Sequence, residues 1–94
     1  MKENKLLADF LREKRIESGL SQMDIAKKLG YTSAQFVSNW ERGLSSPPIH
    51  TLRKLSELYQ IPPDMLFDIT LKTMINQVTT DLRKKFYGRK GKGQ

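Results

Sequence analysis

Residues 21–43 of the chain have the sequence SQMDIAKKLGYTSAQFVSNWERG, which predicts two short helices joined by a tight turn. Ser21 is a favourable N-cap for a helix over residues 22–29, because its hydroxyl can accept a hydrogen bond from a free backbone N–H of the first turn. Gly30 can adopt the positive φ that the chain reversal after this helix requires. Thr32 or Ser33 can cap the second helix, which we place at about residues 34–41. The stretch therefore predicts a pair of helices with well-defined ends.

The sequence on both sides of this pair is also helical in pattern. Before it, apolar residues at i, i+4 spacing predict a helix over residues 4–18, which Gly19 ends. After it, a proline pair at residues 47–48 is placed to open a fourth helix. A short helical turn over residues 64–67 and a last helix over about residues 69–86 follow. The expected fold class is all-α, with five helices, an additional C-terminal helix and a basic tail.

The charges are unevenly distributed along the chain. The formal net charge is +7, from 17 Lys and Arg against 10 Asp and Glu. The end of the chain carries six basic residues and no acidic one: Arg83, Lys84, Lys85, Arg89, Lys90 and Lys92. This asymmetry points to a polyanionic partner, either nucleic acid or an anionic membrane surface. Residues 88–94 offer little to bury, so we expect a disordered tail that adds nonspecific attraction to DNA or simply solubility.

Composition excludes several classes of function. The absence of cysteine excludes disulfides, thiol chemistry and zinc sites with Cys ligands. The single histidine, His50, forms no pair for metal binding or acid–base work, and no nucleophile–base constellation is present. We therefore expect no enzyme activity, no cofactor and no metal. Without an apolar run of roughly 20 residues or a secretory signal, we expect a cytoplasmic protein that does not bind membranes.

The second helix of the central pair has a polar outward face. Its apolar members are Phe36, Val37 and Trp40, of which Val37 and Trp40 are spaced to anchor it to the core. Between residues 34 and 40 no side chain is charged. The opposite face then presents amides and a hydroxyl, from Gln35, Ser38 and Asn39.

These side chains suit contacts in the major groove of DNA. Gln and Asn can pair bidentately with adenine, and the methyl group of Ala34 can touch that of a thymine. Gln22, in the first turn of the preceding helix, lies where a side chain can meet a phosphate. Two short helices joined by a Gly-containing turn are the geometric core of a helix-turn-helix, in which the second helix lies in the major groove.

Residues 5–67 resemble the lambda repressor and Cro-like family, the xenobiotic-response-element type of helix-turn-helix regulator. The resemblance rests on Arg15, Gly19-Leu20-Ser21-Gln22, Ile25-Ala26-Lys27-Lys28-Leu29-Gly30, Val37-Ser38-Asn39-Trp40-Glu41-Arg42-Gly43, Pro47 and Thr51-Leu52. It implies a five-helix DNA-binding domain over residues 1–67, a DNA-contacting third helix and binding as a dimer to a palindromic operator. One departure is the turn over residues 30–33, which is one residue longer than the commonest family pattern.

The resemblance also implies roles for individual residues. Arg15 is expected to pair with Glu41 as a buried strut between the first and third helices. Base contacts are expected from Ser33, Ala34, Gln35, Ser38 and Asn39, and phosphate contacts from Gln22, Thr32 and Arg42. The alternative for the polar side chains is an ordinary solvated helix face.

The last helix carries a heptad-like apolar stripe at spacings of 4, 3, 4 and 4. Its members are Leu71, Ile75, Val78, Leu82 and Phe86. The helix could fold back on its own domain, form a homodimer or dock onto a different protein. We expect residues 68–87 to be a dimerisation element, because an isolated apolar stripe would leave an exposed patch.

Together these features predict a sequence-specific, double-stranded DNA-binding transcriptional regulator, a repressor acting as a homodimer. Two alternatives stay open. One is the antitoxin of a toxin–antitoxin pair, which autoregulates its own operon and holds a toxin or other protein partner. The other is a protein-interaction domain built on the same fold.

Overall fold

The computed structural model describes residues 5–88, and within this range the chain is all-helical without a β-strand. The predicted all-α class is confirmed. The helices are α1 (Leu6–Ser18), α2 (Gln22–Lys28), α3 (Gln35–Glu41), α4 (Ile49–Leu58) and α5 (Pro63–Tyr87). The predicted start of the first helix at residue 4 and, except for Gly88, the basic tail predicted over residues 88–94 lie outside the described residues.

The start of α2 is fixed by a capping box. The Ser21 hydroxyl accepts a hydrogen bond from the Asp24 backbone N–H at 2.9 Å, and the Asp24 carboxylate accepts one from the Ser21 backbone N–H at 2.9 Å. The bond from the Ser21 N–H also lowers the pKa of Asp24 below its ordinary value. On the other side of Ser21, Gly19 ends α1 at φ 77°. The capping box thus satisfies two free backbone donors at the start of α2 with side chains only three residues away in the sequence.

The core lies where the five helices meet. α1 packs against α3 and α5, α2 against α3, and α4 against α5. Ile25 and Ala26 of α2 are fully buried, and Trp40 of α3 is buried as its spacing predicts. The core cluster consists of Leu7, Leu11, Ile25, Ala26, Val37, Trp40, Leu52, Leu55, Tyr59 and Leu66.

The predicted division between a short turn over residues 64–67 and a separate last helix is wrong. The structure has one continuous helix of 25 residues, α5. Pro63 stands in its first turn, where a missing N–H costs nothing, and no further Pro or Gly interrupts the helix before Gly88. The expected fifth helix and the additional C-terminal helix are therefore a single element.

The threonines of α5 contribute to packing despite their low helix propensity. Thr70 and Thr73 are buried, and each hydroxyl donates to a carbonyl one turn earlier in α5. The Thr73 hydroxyl also accepts a hydrogen bond from the Leu7 backbone N–H at 3.0 Å. This bond satisfies a free donor in the first turn of α1, so it ties the start of α1 to the middle of α5.

Candidate nucleic-acid interface

The α2–turn–α3 unit is held by short backbone hydrogen bonds and by close helix packing. Gly30 adopts φ 90°, and the Tyr31 backbone N–H donates to the Ala26 carbonyl at 2.9 Å. Val37 and Trp40 face the core. The opposite side of α3 is therefore left toward solvent, and the fold fixes its orientation.

The C-terminal end of α3 is attached to α1 by a bidentate ion pair. Arg15 Nε donates to Glu41 Oε2 at 2.7 Å, and Arg15 Nη2 donates to Glu41 Oε1 at 3.0 Å. The side chains are 14% and 3% exposed. The hydrogen-bonded Glu41 carboxylate raises the pKa of Arg15 above its ordinary value. Arg15 Nη1 also donates to the Leu20 carbonyl at 3.0 Å, so the guanidinium joins α1, the loop before α2 and α3.

The side chain of Gln22 joins this pair. Its Nε2 donates to Glu41 Oε1 at 3.0 Å, so the buried carboxylate accepts three hydrogen bonds, two from Arg15 and one from Gln22. The sequence predicts a phosphate contact for Gln22. The structure shows in addition that Gln22, at the start of α2, is hydrogen-bonded to Glu41, at the end of α3. A buried carboxylate needs such donors, since leaving its oxygens unpaired is costly.

The outward face of α3 carries a chain of hydrogen bonds. Gln35 Nε2 and Arg42 Nη2 each donate to Asn39 Oδ1 at 3.0 Å. Gln35 and Arg42 are exposed, whereas Ser38 and Asn39 are half-buried. The structure thus brings Gln35, Asn39 and Arg42 into one network, which orients the two amides before any ligand arrives.

The N-terminal end of α3 differs slightly from the prediction. The helix begins at Gln35, one residue later than predicted, and Ala34 is its N-cap residue. The Ser33 hydroxyl accepts a hydrogen bond from the Gln35 backbone N–H at 3.3 Å, as a capping hydroxyl can. Thr32 and Ser33 are exposed and Ala34 is half-buried. All three lie at the end of α3 that precedes Gln35.

Phe36 is one of the three apolar residues of α3, but it does not belong to the core. It is 53% exposed. Its ring lies against the half-buried Tyr31, with centroids 4.9 Å apart. Val37 and Trp40 fill the side of α3 that faces the core, and Phe36 lies at the edge of this face. An i, i+4 spacing alone does not distinguish the centre of a buried face from its edge.

The apolar stripe of α5 is largely exposed, although Val78 at its edge lines a groove with Leu7 and Trp40. Leu66, Thr70 and Thr73 make the buried contacts of this helix. The stripe residues are between 43% and 81% exposed: Leu71, Ile75, Val78, Leu82 and Phe86. The buried contacts of α5 with its own domain are therefore made by the other face, and within residues 5–88 the stripe is only partly covered.

Residues 5–88 contain no cluster of three or more His, Cys, Asp or Glu side chains that could hold a metal ion. In the same range, none of the helices has the length and apolar character needed to cross a membrane.

Comparisons with known proteins agree with this geometry. The model of the helix-turn-helix family matches residues 11–66, which run from α1 into α5. The HTH-type transcriptional regulator ImmR of Bacillus subtilis (strain 168) is 38% identical over 60 residues. The match covers 64% of this chain and 46% of that protein, so the chain spans about half the length of this curated relative. No solved structure matches the chain significantly.

Proposed function

Because the chain belongs to the helix-turn-helix family of lambda repressor and Cro-like DNA-binding regulators, we propose that it binds a specific duplex DNA site as a transcriptional repressor. In this proposal α3 enters the major groove and the protein acts as a homodimer on a palindromic operator. Residues 1–67 would form the DNA-binding domain, and residues 68–87 the dimerisation element.

The polar face of α3 is the observation that carries this proposal. Gln35, Asn39 and Arg42 share a network on a helix whose other side is fixed by the Arg15–Glu41 pair. Side chains that are already oriented before binding lose less conformational entropy when they contact DNA. Uncharged amides on such a face suit bases rather than phosphates alone.

The proposed contacts divide by chemistry. Gln35 can pair with an adenine through its Oε1 and the second hydrogen of its Nε2, since only one hydrogen is used on Asn39. Asn39, Ser38, Ser33 and Ala34 would contact neighbouring bases. Positioning contacts to phosphates are assigned to Arg42, Thr32 and Gln22.

Dimerisation through α5 would supply the second half of the site. Two copies joined along the exposed stripe would bury side chains that a monomer leaves in water. The two α3 helices would then contact half-sites about 34–36 Å apart or a multiple of that distance, as a helix-turn-helix dimer requires.

Selection from random duplex DNA at physiological salt is the decisive experiment. We expect the enriched sequences to share a two-fold symmetric motif. Failure to enrich any motif with protein shown to be folded by circular dichroism would contradict the proposal. It would favour the antitoxin or interaction-domain alternatives, of which only the antitoxin should copurify with a toxic partner encoded by a neighbouring gene.

Gln35→Ala and Asn39→Ala test the assigned base contacts. Each should weaken binding to the selected site by about 1–3 kcal/mol, the value of one good bidentate pair, and leave binding to random DNA nearly unchanged. Gln77→Ala is the matched control, because Gln77 also donates to a side chain one turn later but lies on α5. Equal losses on both DNAs would show that Gln35 and Asn39 do not discriminate bases.

A further inference from the structure

Phe36 is an exposed aromatic side chain on α3. None of the DNA contacts proposed above involves it. We propose that its ring contacts the 5-methyl group of a thymine in the operator and so adds an apolar base contact to the polar ones. This inference rests on the proposed function, since it requires α3 to enter the major groove.

The position of Phe36 follows from helix geometry. Successive residues of an α-helix are rotated by about 100°, so Gln35, Asn39 and Phe36 fall in order within an arc of about 100°. Val37, Trp40 and Glu41 form the buried side, which begins at Trp40, about 40° beyond Phe36. Phe36 therefore flanks the polar face and would enter the groove together with Gln35.

The ring of Phe36 is held in place although it is not buried. Its centroid lies 4.9 Å from that of Tyr31, at an interplanar angle of 40°. Tyr31 in turn packs edge-on against the buried Trp40, with centroids 6.0 Å apart. This row of three rings connects the exposed phenylalanine to the core, so little side-chain freedom remains to be lost on binding.

The chemistry of the major groove identifies the partner of such a ring. Base edges there present hydrogen-bond donors and acceptors, and the thymine 5-methyl is the apolar group among them. A phenyl ring offers nothing to a phosphate oxygen, but it can bury a methyl. Since Phe36 directly follows Gln35, the contacted thymine should lie next to the base that Gln35 contacts.

Deoxyuridine substitution isolates this contact, because it removes the methyl and leaves every hydrogen-bonding group of thymine in place. Each thymine of the selected site is replaced in turn, in both half-sites, and binding of the full chain is measured by fluorescence anisotropy. We expect one thymine per half-site whose replacement weakens wild-type binding about fourfold per methyl, as burial of one methyl predicts. The same replacement should have no effect on Phe36→Ala, whereas Phe36→Leu should keep part of the effect.

The control variants separate this contact from its alternatives. Ile16→Ala removes an apolar side chain with the same 53% exposure from α1, and it should keep the full response to deoxyuridine. A response that survives in Phe36→Ala but disappears in Ala34→Gly would assign the methyl contact to Ala34 and overturn the proposal. The absence of any sensitive thymine would also overturn it. Neither result affects the proposed function, which fails only when no specific site is enriched.

Discussion

The Arg15–Glu41 pair and the distal half of α5 both depart from the usual distribution of side chains in a folded protein. The first buries charged groups, and the second exposes apolar ones. In the first region, a charged carboxylate is only 3% exposed and accepts three hydrogen bonds from its own chain. In the second region, which we define as residues 75–87, the large apolar side chains are more than half exposed. Buried charge and exposed apolar stripes are both uncommon unless they are partnered.

The two regions differ in whether residues 5–88 supply all the contacts that their side chains need. Every oxygen of the Glu41 carboxylate has a donor among the described residues, so the geometry of α3 is settled by the domain itself. Residues 5–88 leave much of the stripe of α5 exposed, and in the proposed dimer a second copy would cover it. We infer that DNA-contacting geometry and dimer formation can be disturbed independently.

Glu41→Ala should produce the largest effect on the first region. It leaves a guanidinium that is 14% exposed without its carboxylate and removes the acceptor of Gln22. Loss of one partner of a buried pair costs about 3–5 kcal/mol, which the free energy of unfolding in urea would measure. The matched control is Glu17→Ala, which removes the exposed Lys14–Glu17 pair and should cost less than about 1 kcal/mol. Similar small losses for both variants would mean that the pair does not hold α3.

Val78→Asp should act on the second region and leave the first intact. Val78 is 54% exposed, so the monomer should tolerate the carboxylate. In a dimer formed along the stripe, two unpaired carboxylates would be buried, which should weaken association at least 100-fold, or about 3 kcal/mol. Sedimentation velocity over a concentration series would show the change from dimer to monomer.

Thr80→Asp is the control for the α5 prediction. It introduces the same charge on the side of the helix opposite the stripe, so the mass in solution should stay that of a dimer. A wild-type protein that is monomeric at all concentrations, or a dimer unaffected by Val78→Asp, would remove the stripe from the interface. The antitoxin alternative would then gain weight if the stripe holds a different protein.

The helices were predictable because their end signals are local. Ser21, Gly19 and Gly30 fix the ends of α1 and α2 through bonds within a few residues, and these are visible in the sequence. The continuity of α5 agrees with the lack of Gly or Pro between residues 64 and 87, whereas the predicted break relied on the nearby Ile61-Pro62-Pro63 segment. The absence of a helix-breaking residue is a weaker signal in a sequence than the presence of one.

The candidate site was less predictable, because its contacts join distant segments. Spacing indicated that α3 has a polar face, but the bond from Gln22 to Glu41 crosses 19 residues and no local pattern carries it. Phe36 shows the second difficulty. Its spacing from Trp40 fits a core position, yet the bulk of Trp40 and Val37 already fills the buried side, and only the packed structure decides which ring is left outside.

Ser21→Ala should produce the smallest effect, and it sharpens the comparison by testing a contact that is entirely local. Removing the capping hydroxyl costs about 1 kcal/mol of unfolding free energy, measured in urea, with Ser18→Ala as an exposed serine control. The Asp24 half of the box adds a pH dependence, because the pKa of this carboxyl is lowered in the folded state. Its stabilisation is complete above the unfolded pKa of about 3.9 and is lost as the pH falls through the lower folded value, so Asp24→Asn should flatten the stability profile in that acidic window. A cost for Ser21→Ala as large as that for Glu41→Ala would contradict the comparison, because it would mean that the local end signals, and not the buried pair, hold α2 and α3 together.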